Sequence, residues 1–284
     1  MRLHLINTEM SDEWSMLSGA YEDVLLSRFQ PLYNFIANLI LKHITSNPQK
    51  KKLRLLDYGT GPGEPLLTIV KLLKDNGIEN IQYEGMDSSS GMIALAQQRL
   101  IDFQIDLNHS DSITNLEAYD FIVSSLVLPY ISNKNQLLQE FYQHLTNGGL
   151  LITCHWSKAS QVAFLSILKR VILFMTNNQQ SVEGNLEDDW SFSCANEELT
   201  RNLYEQQGFR IQNWLCFKLS MSFPDIRTFL SFARIAPWFN DENLYLKAES
   251  EAKRILTEEH GKNFFENKSF QLENDAVIII ATKN

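Results

Sequence analysis

Cysteine is scarce in this chain of 284 residues, where only Cys154, Cys194 and Cys216 occur, far apart in the sequence. The spacing offers no close pair of the kind that binds structural zinc. An odd, sparse set of cysteines fits a reducing compartment better than a disulfide scaffold. The N-terminus also lacks the apolar stretch of a signal peptide. We therefore predict a cytoplasmic protein that holds no metal.

Long apolar runs are also missing. The longest are residues 121–131 and 162–175. The first is too short to cross a bilayer, and Lys169 and Arg170 interrupt the second. The sequence therefore predicts no membrane span.

Basic residues are outnumbered, with 25 Lys and Arg against 34 Asp and Glu and a net charge of −9. A protein that binds a nucleic-acid backbone usually carries a basic face, because Lys and Arg replace the phosphate counterions. The densest basic cluster, Lys50 to Lys52 with Arg54, is interpreted as a solvated turn before a strand. We therefore expect no nucleic-acid partner.

The middle of the chain alternates between two apolar patterns. Short apolar runs predict strands at residues 53–58, 81–86, 103–107, 121–128 and 150–155. Helical spacing between them predicts helices at 66–73, 91–100 and 136–145. Apolar strands interleaved with helices indicate an α/β fold whose parallel sheet is covered on both faces.

The flanking segments predict further helices and one strand pair. We expect helices within residues 12–46, 159–175, 197–207, 225–235 and 244–259, and strands at 209–219 and 276–282. On helix 159–175, Phe164 and Leu168 share an apolar face while Lys169 and Arg170 are expected to point away from it. The predicted organisation is an N-terminal helical cap at 1–50, a core at 51–155, and lid helices at 156–284 with an antiparallel hairpin that completes the same sheet.

A glycine-rich loop carries the strongest chemical signal. The segment Asp57-Tyr58-Gly59-Thr60-Gly61-Pro62-Gly63 follows a predicted strand and precedes a predicted helix. Glycine lets the backbone approach a ligand closely, and a helix N-terminus attracts a carboxylate. The spacing is G-x-G-x-G, whereas dinucleotide folds more often show G-x-G-x-x-G, and Glu64 stands at that third position.

A second signal lies at the end of the next strand, in Gly85-Met86-Asp87. A carboxylate at this place can accept both ribose hydroxyls of an adenosine ligand. Asp87 and Ser89 also suit the start of a helix, and the two roles are compatible.

Together these motifs resemble the class I, seven-strand methyltransferase family, especially its small-molecule and quinone/biotin-pathway branches. The matching segments are 57–63, Asp87 to Met92 with Ala96, Asp111 to Ile113, 119–123, and Glu140, Leu145, Gly148 and Gly149. The resemblance covers residues 50–155.

The resemblance implies S-adenosylmethionine as cofactor and methyl transfer to a small molecule or a carrier-bound acyl group. The residues that it assigns to cofactor binding are Asp57, Gly59, Gly61, Gly63, Asp87, Ser88, Met92, Asp111, Ser112 and Ser125. The glycines are expected at the methionine end, Asp87 at the ribose, and Asp111 and Ser112 near the adenine. Pro129 replaces a histidine that many small-molecule members carry after the fourth strand.

For a catalytic residue the sequence offers a single candidate. His155, at the end of the fifth strand, is the candidate general base, since an imidazole titrates close to neutrality, although it can equally be a packed strand residue. Cys154 lies within that strand after Thr153, so the Pro-Cys pair of covalent methyltransferases is absent and direct transfer is expected. For the substrate pocket the aromatic candidates are Trp156, Phe164, Phe174, Phe229 and Trp238. Two alternatives remain: a nicotinamide-dependent oxidoreductase, and a non-catalytic S-adenosylmethionine-binding protein.

Overall fold

A computed structural model describes residues 10–47, 52–113, 117–176, 186, 189–261, 264 and 269–283. The predicted boundary between residues 50 and 51, and the basic residues Lys50 and Lys51, lie outside these ranges.

The described chain alternates strands and helices as the sequence predicts. The strands are β1 Leu53–Tyr58, β2 Ile81–Asp87, β3 Ile105–His109, β4 Tyr119–Ser125, β5 Leu145–Trp156, β6 Phe209–Phe223 and β7 Phe270–Lys283. The α-helices are α1 Met10–Ala20, α2 Gln30–Ser46, α3 Leu66–Asp75, α4 Ser90–Arg99, α5 Lys134–His144, α6 Ala163–Thr176, α7 Glu197–Gln206, α8 Ile226–Leu230 and α9 Glu242–His260. A π-helical turn, Tyr21–Leu26, continues α1.

The strands form one seven-stranded sheet in the order β3-β2-β1-β4-β5-β7-β6. Strands β1 to β5 are parallel; for example, Leu55 pairs with Tyr83 on one side and Phe121 on the other. Strand β7 runs antiparallel between β5 and β6. The predicted parallel sheet and its antiparallel C-terminal hairpin are confirmed.

Both faces of the sheet are covered. All six residues of β1 are buried, as expected where helices pack on either side. Ile36 of α2, Ile69 of α3 and Ile167 of α6 belong to the larger apolar cluster. Leu138 of α5 and Tyr204 of α7 belong to the second. The sheet therefore presents its carboxyl edge as the place where a ligand can enter.

Polar residues set the beginnings of several helices. The side chains of Ser89, Asn133, Asn196 and Asp241 each accept a hydrogen bond from a backbone N–H three residues later. These bonds satisfy N–H groups that have no partner inside the helix. The hydrogen bond at Ser89 fixes the turn between Asp87, the last residue of β2, and α4.

The β6–β7 hairpin extends past the end of β5. Trp156, the last residue of β5, pairs with Ala276, whereas β7 begins at Phe270. Phe164 of α6 stacks on Phe223 of this extension, with ring centroids 5.7 Å apart. The extension and α6 thereby form a wall above the carboxyl edge of the sheet.

Two local predictions are wrong. The fourth strand ends at Ser125, short of the predicted residue 128, because Leu126 adopts a φ of 61° that interrupts extended backbone. Lys169 does not point away from the core: its side chain is buried and bonds to Asp189 and Ser191.

No helix of the described chain is long and apolar enough to cross a membrane.

Candidate functional site

A cavity opens at the carboxyl edge of the sheet, above β1, β2, β4 and β5. With the open space at its mouth included, it measures about 1120 Å³. Open α/β sheets bind their ligands at this edge. The cavity therefore has the position of a ligand-binding site.

The glycine loop after β1 forms the floor of the cavity. Backbone N–H groups of Gly59 and Thr60 donate to the Met86 carbonyl at 2.8 and 2.9 Å, which ties the loop to β2. Gly59 and Gly61 have positive φ values of 71° and 54° and line the cavity. A Cβ at Gly61 would meet nothing within 4 Å, so the bare backbone faces open space. This geometry suits close approach of a ligand to the main chain.

Asp87 stands beside this loop at the end of β2. Its Oδ2 accepts a hydrogen bond from the Gly61 N–H at 2.9 Å, and its Oδ1 accepts one from the Ser89 N–H at 2.8 Å. Burial raises the pKa of Asp87, while the bonds from Ser89 and Gly61 lower it. Each carboxylate oxygen keeps acceptor capacity toward the cavity, which Asp87 lines. Asp87 can therefore accept hydrogen bonds from two vicinal hydroxyl groups of a ligand.

Asp57 and Gly63 support the loop without lining the cavity. Asp57 is fully buried, and its Oδ2 accepts a hydrogen bond from the Thr60 hydroxyl at 2.8 Å. Burial raises the pKa of Asp57 to about 7. A Cβ at Gly63 would lie 3.0 Å from Leu100, so this glycine allows α4 to pack against the loop.

The remaining predicted cofactor residues separate into two groups. Ser88, Met92, Asp111 and Ser125 line the cavity together with Gly59, Gly61 and Asp87. Ser112 does not; its N–H donates to the Ser110 hydroxyl at 3.1 Å, and Ser110 takes the place in the lining.

His155 lies away from the cavity. Its ring is fully buried on the opposite face of β5, 5.7 Å from the Trp214 ring, and its Nδ1 bonds to the Trp156 carbonyl. Burial lowers its pKa to about 4, so the imidazole is neutral. The geometry gives a role as general base no support.

The other half of the cavity is apolar. Trp156 and Phe164 line it as predicted, whereas Phe174, Phe229 and Trp238 are not among the lining residues. Residues that the sequence analysis did not select also contribute: Glu64, Leu25, Phe29, Leu165 and Phe232. For Phe232 the sequence carries no usable signal, because its contact depends on how the segment between β6 and β7 folds.

Three features limit the chemistry. The described residues contain no group of His, Cys, Asp and Glu that could hold a metal ion. Cys154 and Cys194 are buried thiols whose pKa values burial raises to about 12 and about 11. Cys216 is exposed on β6, outside the cavity lining. No activated cysteine nucleophile stands at the described part of the site.

Comparisons with known proteins agree with this arrangement. Residues 56–151 match the family model described as a methyltransferase domain. A malonyl-[acyl-carrier protein] O-methyltransferase of Bacillus cereus is 30% identical over 103 residues, which is 35% of this chain and 36% of that protein. A carboxy-S-adenosyl-L-methionine synthase of Helicobacter hepaticus is 28% identical over 148 residues, 49% of this chain and 59% of that protein. The matches span about a third to three fifths of the length of these relatives.

The fold has solved counterparts as well. The structure of a protein assigned as a methyltransferase from Bacillus halodurans superimposes with a TM-score of 0.53 at 12% identity, covering 86% of this chain and 97% of that one. That likeness concerns the fold alone. Residues 56–151 thus resemble a methyltransferase domain in sequence, and the seven-stranded sheet resembles that of the Bacillus halodurans protein in fold.

Proposed function

We propose that the protein transfers a methyl group from S-adenosylmethionine directly to a small molecule or a carrier-bound acyl group. The observation that carries the proposal is the pairing of Asp87 with the Gly61 N–H at 2.9 Å, at the rim of a cavity whose floor is bare glycine backbone. This constellation suits an adenosine ligand with an extended, polar second half.

The residues present fit the cofactor. Asp87 would hold the ribose hydroxyls, and Gly59 and Gly61 would leave room for the methionine portion along the loop. Ser110 and Asp111 would lie toward the base, with Met92 as an apolar surface beneath it. When bound, S-adenosylmethionine supplies a methyl group on a positively charged sulfur, and the acidic side chains Glu64 and Asp87 suit that charge.

The protein's own contribution to the chemistry is positional. Holding donor and acceptor together in a defined orientation can lower a barrier by roughly 7–11 kcal/mol. Trp14 and Tyr21, from the N-terminal helices, and Trp156, from β5, line the cavity with aromatic surface. Cys154 stays protonated and buried, which supports direct transfer over a covalent route.

The wider assignments rest on weaker support and are part of the same proposal. Three unpaired cysteines fit a cytoplasmic location. The net charge of −9 argues against a nucleic-acid partner.

The test is calorimetry with S-adenosylmethionine on Asp87→Ala, with the exposed Asp106→Ala on β3 as matched control. Loss of a charge-assisted hydrogen bond typically costs about 1.5–3 kcal/mol, so Asp87→Ala should weaken binding roughly ten- to a hundredfold. Asp106→Ala should bind as the wild type does. Binding of NADH without binding of S-adenosylmethionine would instead favour the oxidoreductase alternative. Cofactor binding without any turnover on labelled extracts would favour the non-catalytic one.

A further inference from the structure

The half of the cavity above β4 and β5 differs from the half that holds Asp87. Aromatic and aliphatic side chains dominate it: Trp14, Phe29, Trp156, Phe164, Leu165 and Phe232. We call this group the apolar chamber. Because β4 and β5 lie on the far side of β1 from β2, the chamber is the space left for a methyl acceptor once Asp87 and the glycine loop are occupied.

Charge around the cavity is of one sign. Its charged lining residues are Glu64, Asp87 and Asp111, and none of the described lining residues is Lys, Arg or His. Glu64 has a cation of its own, since its Oε1 lies 2.9 Å from Arg99 Nη2, but Arg99 is not in the lining. A phosphate or carboxylate in the chamber would find no described cation to pair with. Like charges at such close range are strongly disfavoured.

Tyr130 brings a hydroxyl group to the chamber. It lines the cavity and is held between aromatic rings, with its ring centroid 5.5 Å from Trp14 and 4.3 Å from Trp190. The two other tyrosines in the cavity lining are already engaged: the Tyr21 hydroxyl lies 3.1 Å from that of Tyr33, and the Tyr58 hydroxyl donates to the Asp111 carbonyl at 2.7 Å.

Polar side chains lie close to Tyr130 in the fold. Trp190, which packs on the Tyr130 ring, precedes Ser191, and Lys169 Nζ donates to the Ser191 hydroxyl at 2.8 Å and pairs with Asp189. A phenol hydroxyl can donate one hydrogen bond. Tyr130 can therefore donate its O–H to an acceptor atom in the cavity that it lines.

We infer that the apolar chamber binds an uncharged, ring-sized acceptor molecule that carries one oxygen, and that Tyr130 donates the hydrogen bond that anchors this oxygen. The inference rests on the proposed function and narrows it, because an acceptor with a free carboxylate or phosphate does not fit the chamber. Tyr130 is the specificity-determining group.

Equilibrium dialysis of the full chain at pH 7, without cofactor, tests this with three probes of equal ring size. These are 1-naphthol, which is neutral with one oxygen, naphthalene, which has none, and 1-naphthoate, which is an anion. Wild-type protein should bind 1-naphthol roughly tenfold or more tightly than 1-naphthoate. Tyr130→Phe should weaken 1-naphthol binding by about two- to tenfold, the range of one neutral hydrogen bond, and leave naphthalene binding unchanged.

The control is Tyr142→Phe on α5, which does not line the cavity and should leave all three affinities unchanged. Equal or tighter binding of 1-naphthoate by the wild type overturns the inference, as does failure of all three probes to bind. A Tyr130→Phe protein that loses naphthalene and 1-naphthol alike also contradicts it. The three-probe comparison on wild type needs no variant, so a misfolded variant does not remove the test. Calorimetry with S-adenosylmethionine is separate, so the proposed function and this inference can fail independently.

Discussion

Two aspartates near the ends of neighbouring strands differ in where their carboxylates lie. Asp57 is buried beneath the loop and accepts a hydrogen bond from the Thr60 hydroxyl, whereas Asp87 faces the cavity. The sequence predicts both as cofactor residues, because both belong to motifs of the family that it resembles. Only the position of each carboxylate relative to the loop shows that Asp57 is buried while Asp87 lines the cavity.

Asp57→Asn should change how stability depends on pH. Folding raises the pKa of Asp57 to about 7, from an unfolded value near 3.9. The unfolded chain therefore loses this proton first, and wild-type stability falls as pH rises from about 4 to about 7. The amide of the variant stays neutral and can still accept from Thr60, so this loss should disappear. As the pH rises from 5 to 8, the free energy of unfolding of the variant should increase by on the order of 2–3 kcal/mol relative to that of the wild type. Urea unfolding across this pH range measures the difference. The exposed Asp106→Asn should track the wild type, and parallel profiles for Asp57→Asn would contradict the burial argument.

His155 shows what strand periodicity decides. Successive side chains of a strand point to opposite faces, so His155 and Trp156 cannot both face the cavity. Trp156 lines it, and His155 packs against Trp214 of β6. His155 is a candidate from the sequence because it lies near the carboxyl end of its strand. The face of the sheet on which it lies depends on the pairing of β5 with β7, which the sequence alone does not give.

At the scale of elements, two glycines of the β1–α3 loop that are two residues apart have different surroundings. Gly61 and Gly63 both have positive φ, at 54° and 87°. Open space lies beside Gly61, whereas Leu100 lies beside Gly63. The G-x-G-x-G motif in the sequence does not distinguish these roles, because Leu100 comes from the end of α4.

Alanine at the two positions should therefore have opposite consequences. Gly61→Ala should cost about 1–2 kcal/mol of left-handed strain and weaken S-adenosylmethionine binding tenfold or more, because the added methyl group enters the cavity. Gly63→Ala should add a steric contact to similar strain, lose more stability, and keep most of its cofactor affinity. Chemical denaturation and calorimetry on both variants check the pair. A Gly63→Ala protein that is stable but does not bind would show that this glycine contacts the cofactor.

The apolar spacing predicts helix α6 correctly, but it wrongly predicts that Lys169 points away from the core. Arg170 pairs with Glu259 of α9, and Lys169 is buried against Asp189 and Ser191. A buried lysine is retained only where partners compensate its charge. Those partners lie twenty and more residues further along the chain, so helical periodicity alone assigns the lysine to solvent.

For the whole molecule, the alternation of strands and helices predicts a parallel sheet, and the apolar runs at residues 209–219 and 276–282 predict its last two strands. The part that the sequence could not supply is the roof of the cavity. Helix α2 (Gln30–Ser46) lies along α3 and the face of the sheet, with His43 against Phe121, and none of its described residues lines the cavity. The described residues before α2 that line it are Trp14, Tyr21, Leu25 and Phe29. Helices of similar amphipathic pattern thus take different places, because long-range packing and not local spacing positions them.

Gly91→Ala tests how α1 is held over the site. Gly91 lies in the first turn of α4, where the Ser15 hydroxyl contacts the Ser89 hydroxyl at 2.9 Å and accepts from the Gly91 N–H at 3.3 Å. Alanine in a helix is intrinsically favoured by about 1 kcal/mol over glycine. Here its Cβ would lie 2.7 Å from the Ser15 carbonyl oxygen, so α1 must move away.

Since α1 carries Trp14 into the cavity lining, this movement should open the site while the sheet stays intact. Hydrogen exchange should become faster in residues 10–20 and stay unchanged in β4 and β5, with overall stability within about 1 kcal/mol of wild type. S-adenosylmethionine binding should weaken in the same variant. Gly148→Ala is the control: its Cβ would meet nothing within 4 Å, and although its positive φ of 75° adds left-handed strain, exchange in α1 should stay as it is. If exchange in residues 10–20 is equally slow in Gly91→Ala and wild type, α1 does not depend on this contact, and its place over the cavity must be held by the aromatic packing of Trp14 on Tyr21 and Tyr130.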